Sequence, residues 1–197
     1  VVFDSLRRFR LAYDLSELFR RYFINTLFDS TFVVLGIVSA TVVTQGTEIR
    51  VTLGALAAAC IAIGISTGVS VYEAERLEAE IRMARIERAM LVELKDTHID
   101  RTLRLYRALV SFVNFCAPLL VFAITSAPFL LHLAFGWPSL AQASQLSILL
   151  AAILVFVAGY ALGKVAGRSP LRQGLRMTIA AIATFLLLIL IQTYLVR

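Results

Sequence analysis

The sequence predicts an all-α polytopic membrane protein with five transmembrane helices. Its N-terminus is expected to be cytoplasmic, its C-terminus outside, and a cytoplasmic helical arm is expected between the second and third helices. Three observations predict this. Five apolar stretches run over 23–44, 51–72, 108–135, 145–165 and 175–196. Each holds at least about 20 residues, enough at ~1.5 Å per helical residue to cross a ~30 Å hydrocarbon core. The composition, 59% hydrophobic and 16% charged, departs from that of a soluble globular domain. Finally, the basic residues alternate between flanks, and cationic loops are retained on the cytoplasmic side. Arg7, Arg8, Arg10, Arg20 and Arg21 precede the first stretch, eight basic residues fall within 73–107, and Lys164, Arg168, Arg172 and Arg176 separate the last two stretches. The remaining segments hold only Arg50 and Arg197.

A membrane β-barrel would instead need many short segments of alternating hydrophobicity. The net charge of +6 and pI of 9.8 are those of some nucleic-acid binders. Here the charge follows the topology and faces anionic lipid headgroups, so no nucleic-acid partner is expected. Residues 1–10 are too charged to contain the apolar core of a signal peptide. Cys60 and Cys116 lie inside apolar stretches, without a CxxC motif, and read as small packing residues.

Taken in order, residues 1–22 read as an interfacial amphipathic segment. Asp14 and Glu17 have capping-box spacing, and Leu11, Leu15, Leu18 and Tyr22 share one side. Residues 23–72 carry the first two spans. In the first, Asp29 is the acidic residue well inside the apolar run, with Asn25 one turn earlier and Gly36 two turns later. An intramembrane carboxylate can bind a cation or carry a proton; alternatively, Asp29 snorkels to the headgroups or pairs with an arginine such as Arg21. In the second span Gly54/Ala58 and Gly64/Gly68 form small-residue pairs, as Gly159, Gly163 and Gly167 do in the fourth. Four-residue spacing places such residues on one face and predicts tight helix packing, within the chain or at a dimer seam.

Residues 73–107 form the arm. It begins without Gly or Pro and is rich in Ala, Leu, Glu and Arg, which favours a helix continuing from the second span. Glu73, Glu80 and Glu87 recur every seven residues and stay near one line, flanked by Met83 and Met90, with Glu75, Glu78 and Glu93 opposite. Carboxylates beside thioethers suit a borderline divalent metal such as Fe²⁺. Carboxylates one heptad apart are ~10 Å apart, so a shared ion would need ligands from another helix or subunit. The alternative is a solvated strut, since Arg76–Glu80 and Glu78–Arg82 have ion-pair spacing. Residues 108–197 carry spans three to five. Pro118 and Pro128 are expected to kink the third, Asn114 to make a structural hydrogen bond, and His132 and Gln192 to lie near the outer interface.

The segment Phe28-Asp29-Ser30-Thr31-Phe32-Val33-Val34-Leu35-Gly36-Ile37-Val38 resembles the first-helix signature of the vacuolar iron transporter family, an Asp-Gly followed by an apolar run and Gly-Leu-Val. Ser169-Pro170-Leu171-Arg172-Gln173-Gly174-Leu175-Arg176 is similar to that family's loop before the last helix, and Val69-Ser70-Val71 to the end of its second span. The order of elements also fits from about Arg20 onward, and Glu87-Arg88-Ala89-Met90-Leu91 looks like the divergent prokaryotic branch.

The resemblance implies export of Fe²⁺, and of Mn²⁺ as well, from the cytosol by proton antiport, through a homodimer with its pathway at the subunit interface. It implies no resident cofactor: metal is the cargo and protons the coupling ion. Asp29 would be the pathway carboxylate, with Asn25, Thr67, Ser70 and Asn114 along the route. Glu73, Glu80 and Glu87, with Met83 and Met90, would capture metal on the cytosolic side. The implied location is a prokaryotic plasma membrane, or a vacuolar-type membrane in a eukaryote. Ser30 replaces the usual Gly, and Ile63 and Thr67 stand where the family carries Met and Glu. The competing expectation is a non-transporting adaptor whose charged arm is an interaction platform. No enzyme is expected, because no nucleophile–base pair, His cluster or phosphate loop is present.

Overall fold

A computed structural model describes residues 2–44, 48–90 and 98–195, with side chains described from Arg21 onward except at 86, 89, 90, 98–103 and 195. The described chain is helical throughout: α1 Val2–Val43, α2 Ile49–Met90, α3 His98–Phe135, α4 Leu140–Val165 and α5 Pro170–Leu195. Each contains a segment long and apolar enough to cross a membrane, at Arg21–Val43, Ile49–Arg85, Arg104–Phe135, Leu140–Val165 and Pro170–Tyr194. This defines an all-α integral membrane protein, because in hydrocarbon a helix satisfies its backbone groups within one segment.

Helix boundaries depart from the sequence expectation in instructive places. α1 begins at Val2 and runs unbroken through Asp14 and Glu17, so that pair does not start a helix; the side chains of the Leu11, Leu15 and Leu18 stripe lie outside the described residues. α2 has 42 residues, about 63 Å at the helical rise and twice a hydrocarbon core. α3 continues through Pro118 and Pro128. α4 starts five residues before the expected position, where Ser139 and Gln142 exchange side-chain-to-backbone hydrogen bonds in a capping box. It ends at Val165, and Gly167, two residues on, takes a φ of 65°, the left-handed region that favours glycine. The Arg168 N–H then returns to the Gly163 carbonyl at 3.0 Å. α5 opens on Pro170, where a missing N–H costs nothing.

The chain divides into two compact units, Val1–Phe23 with Gly64–Cys116, and Ile24–Ile63 with Ala117–Arg197. In the second, Leu35, Ala151, Val155 and Ala181 form a buried cluster ringed by Phe28, Phe32, Ile148, Met177 and Phe185. α4 packs on α5 through glycines. A Cβ added to Gly159 would meet Gly174 Cα at 3.1 Å, one on Gly163 would meet Pro170 Cα at 2.9 Å, and one on Gly174 would meet the Phe156 ring at 2.9 Å. Gly167, placed by its spacing in the same stripe, has nothing within 4 Å of such an atom; its role is the turn. Gln192 donates its Nε2 to the Gly36 carbonyl at 3.0 Å. His132 Nδ1 is engaged locally by the Pro138 carbonyl.

In the first unit α2 meets α3. Phe115 covers Gly64 and Gly68, with contacts to an added Cβ of 3.0 and 3.3 Å. Ser111 Oγ donates to the Gly68 carbonyl at 2.5 Å. The Gly54/Ala58 pair makes no such contact: both residues are exposed, and nothing lies within 4 Å of a Cβ on Gly54.

Candidate functional site

In its second half α1 buries 26, 27, 30, 31, 34, 35, 38 and 39 and leaves Asn25, Asp29 and Val33 on the exposed side. One helical turn separates Asn25 from Asp29, and the amide Nδ2 donates to Asp29 Oδ2 at 3.2 Å. The pair therefore presents a carboxylate, oriented by an amide, eight residues after the start of the apolar segment at Arg21. At the helical rise this is ~12 Å along the axis. Ser30, which follows it, points the other way: fully buried, it returns its hydroxyl to the Thr26 and Leu27 carbonyls at 2.7 and 3.1 Å. The serine is thereby satisfied within its own helix and takes no part in the Asn25–Asp29 pair.

On α2 the burial runs in one stripe: Thr52, Leu56, Cys60, Gly64, Gly68, Val71 and Glu75. Glu73 and Glu80 fall off it and are exposed, sharing Arg76 at 3.8 and 3.1 Å. Glu78 pairs with Arg82 at 3.1 Å. Glu87 and Met83 are half-buried. The side chain of Met90, together with Glu93 and Asp96, lies outside the described residues. Among the described residues no three His, Cys, Asp or Glu side chains come together as a metal-binding group.

The acid that the fold does bury on this helix is Glu75, 8% exposed. Tyr22 donates its hydroxyl to Glu75 Oε1 at 3.0 Å. In the same unit Arg107, also 8% exposed, stands over the Tyr72 ring at 6.0 Å, and its Nε has no hydrogen-bond partner among the described residues. Buried charge is costly unless it is met by hydrogen bonds or opposite charge, so each tyrosine compensates one ion, by a hydroxyl and by a π face. The heptad pattern puts Glu75 opposite the Glu73–Glu80–Glu87 line, and Arg107 counts among the basic residues of the arm. A signal was present: Glu75 continues the Gly64, Gly68, Val71 spacing of four, three and four, and Arg107 precedes the buried Val110 and Asn114 by three and seven.

Of the other residues expected along a pathway, Thr67 donates to the Gly64 carbonyl at 3.4 Å, Ser70 is exposed, and Asn114 is 1% exposed. These three belong to the first unit, whereas Asn25 and Asp29 belong to the second. The fold and this site define the chain as a five-helix membrane protein bearing an amide-held carboxylate in its first apolar segment. No family model, curated protein or solved structure matches it.

Proposed function

We propose that this chain is a membrane transporter that exports a divalent cation, Fe²⁺ and Mn²⁺ as well, from the cytosol by proton antiport as a homodimer. The observation that carries the reading is the Asn25–Asp29 pair on the exposed side of α1. An acid at the centre of a lipid-facing helix costs about 2.5–3.5 kcal/mol on insertion scales. That cost falls away if a second subunit or a water-filled path covers this face. Asp29 then binds the metal as a carboxylate; taking up a proton from the outer side neutralises it and releases the ion. The basic flanks support a topology with the N-terminus inside and the C-terminus outside. The 42-residue length of α2 supplies the cytoplasmic arm on that topology. The likeness of 28–38 and 169–176 to the vacuolar iron transporter family supports the same reading.

Liposomes containing a trapped metal-sensitive dye test it directly. Fe²⁺ or Mn²⁺ entry should depend on the pH gradient and should disappear in Asp29→Asn, with the fold intact. Full flux in that variant would remove Asp29 from the mechanism. The adaptor reading is favoured by the Arg76 ion pairs, which already occupy Glu73 and Glu80. Metal titration of Glu80→Gln with Glu87→Gln separates the two: weakened binding supports a capture arm, and unchanged affinity supports the platform.

A further inference from the structure

We propose that the α4–α5 turn is a binding site for the phosphate group of an anionic phospholipid. Arg168, Ser169, Arg172, Gln173 and Arg176 line one cavity of about 420 Å³, within the ~300–1,000 Å³ range of small-molecule sites. Three guanidinium groups, each a rigid fork of donors suited to phosphate oxygens, therefore share one concavity.

None of the three arginines has a carboxylate within ion-pair distance among the described residues, unlike Arg76 and Arg82. The sequence explains why. No Asp or Glu follows Asp100, so neither α4 nor α5 holds an acid that could neutralise them. Arginines concentrated on a hairpin without acids await an anion from elsewhere. The cavity is also preformed. Gly167 turns the chain, Arg168 caps the Gly163 carbonyl, and the close approach of Gly163 to Pro170 and Gln173 fixes the first turn of α5 against α4. Arg172 and Arg176 then sit one turn apart on the same side.

The apolar surroundings identify the source of the phosphate. Leu171, Leu175, Ile179 and Ile182 are exposed and form a stripe beside the arginines, continuing from the cavity into the apolar segment Pro170–Tyr194. A phospholipid matches both parts, its phosphate on the arginines and an acyl chain along the stripe. A free phosphate matches only the first. This site is independent of metal transport and rests only on α4 and α5 spanning the membrane.

Native mass spectrometry of the purified full chain, titrated with phosphatidylglycerol or phosphatidylcholine, tests the proposal. The wild type should retain phosphatidylglycerol preferentially. Arg172→Gln with Arg176→Gln should weaken that lipid by about tenfold or more, leaving phosphatidylcholine unchanged. Arg172→Lys with Arg176→Lys keeps charge but loses the fork, and should fall between. Lys164→Gln, outside the cavity, should bind like the wild type. If the double glutamine variant does not fold, Arg168→Gln carries the same expectation at smaller size. Equal phosphatidylglycerol affinity in the wild type and the glutamine variants, or an equal loss with Lys164→Gln, would overturn the site. Inorganic phosphate that displaces phosphatidylglycerol at comparable concentration would overturn its assignment to a lipid.

Discussion

The α4–α5 hairpin and the α2–α3 pairing both depend on glycine, but for different ends. In the hairpin the glycines bring backbones together: Gly159 faces Gly174 Cα, and Gly163 faces Pro170 Cα. In the α2–α3 pairing one residue, Phe115, meets both glycines, by its carbonyl and ring at Gly64 and by its Cβ at Gly68, and the same helices bury a carboxylate and a guanidinium. The hairpin is therefore specified by shape. The pairing is specified by shape together with a hydrogen bond and an aromatic face that compensate buried charge. Shape fails when volume is added; a compensated charge fails when a partner is removed.

The comparison can be broken by substitution. Gly163→Leu should have the largest effect, more than about 3 kcal/mol of lost stability, because its side chain would have to displace the Pro170 backbone. Unfolding in mixed micelles would measure it, and a neutral result would mean that the hairpin separates freely. Glu75→Ala should cost about 1–3 kcal/mol by leaving the Tyr22 hydroxyl without its acceptor. Tyr22→Phe should cost less, and the double variant less than the sum of the two; strict additivity would show that the hydrogen bond contributes nothing.

Smaller effects sharpen the contrast. Gly68→Ala is tight only against the Phe115 Cβ, at 3.3 Å, and otherwise meets Ser111 at ordinary contact distance, so a gain in helix propensity of about 1 kcal/mol should offset most of the crowding. Gly54→Ala, with nothing within 4 Å, should be neutral or stabilising by up to about 1 kcal/mol. A marked loss there would mean that the exposed Gly54 side is covered by another molecule. Arg76→Ala should leave stability unchanged, since exposed ion pairs contribute little.

The spans were legible in the sequence because hydropathy over 20 or more residues is a strong local signal. Asp29 and Asn25 were legible for the same reason: a polar pair at four-residue spacing stands out in an apolar run. Glu75 was not, because heptad regularity drew attention to Glu73, Glu80 and Glu87, whereas burial follows the continuation of the glycine stripe. Gly167 misled in the opposite sense. Its spacing from Gly163 fits a packing face, but α4 has ended, and only the backbone conformation separates a packing glycine from a turning one. The shared use of Arg76 by Glu73 and Glu80 was present in the spacing, though choosing among ion pairs on one helix needs side-chain geometry.

The hydrogen bond from Gln192 to the Gly36 carbonyl joins residues 156 positions apart and bears on how the protein is made. Ser39 also donates to that carbonyl at 2.8 Å, so Gln192 shares an acceptor that α1 already uses. During synthesis α5 leaves the ribosome after α1, carrying an amide that lipid cannot satisfy. α1 is by then in place, with its acceptor ready. Docking of α5 onto α1 through this bond thus relieves part of a penalty incurred at insertion, and couples the arrival of the later helix to its packing on the earlier one.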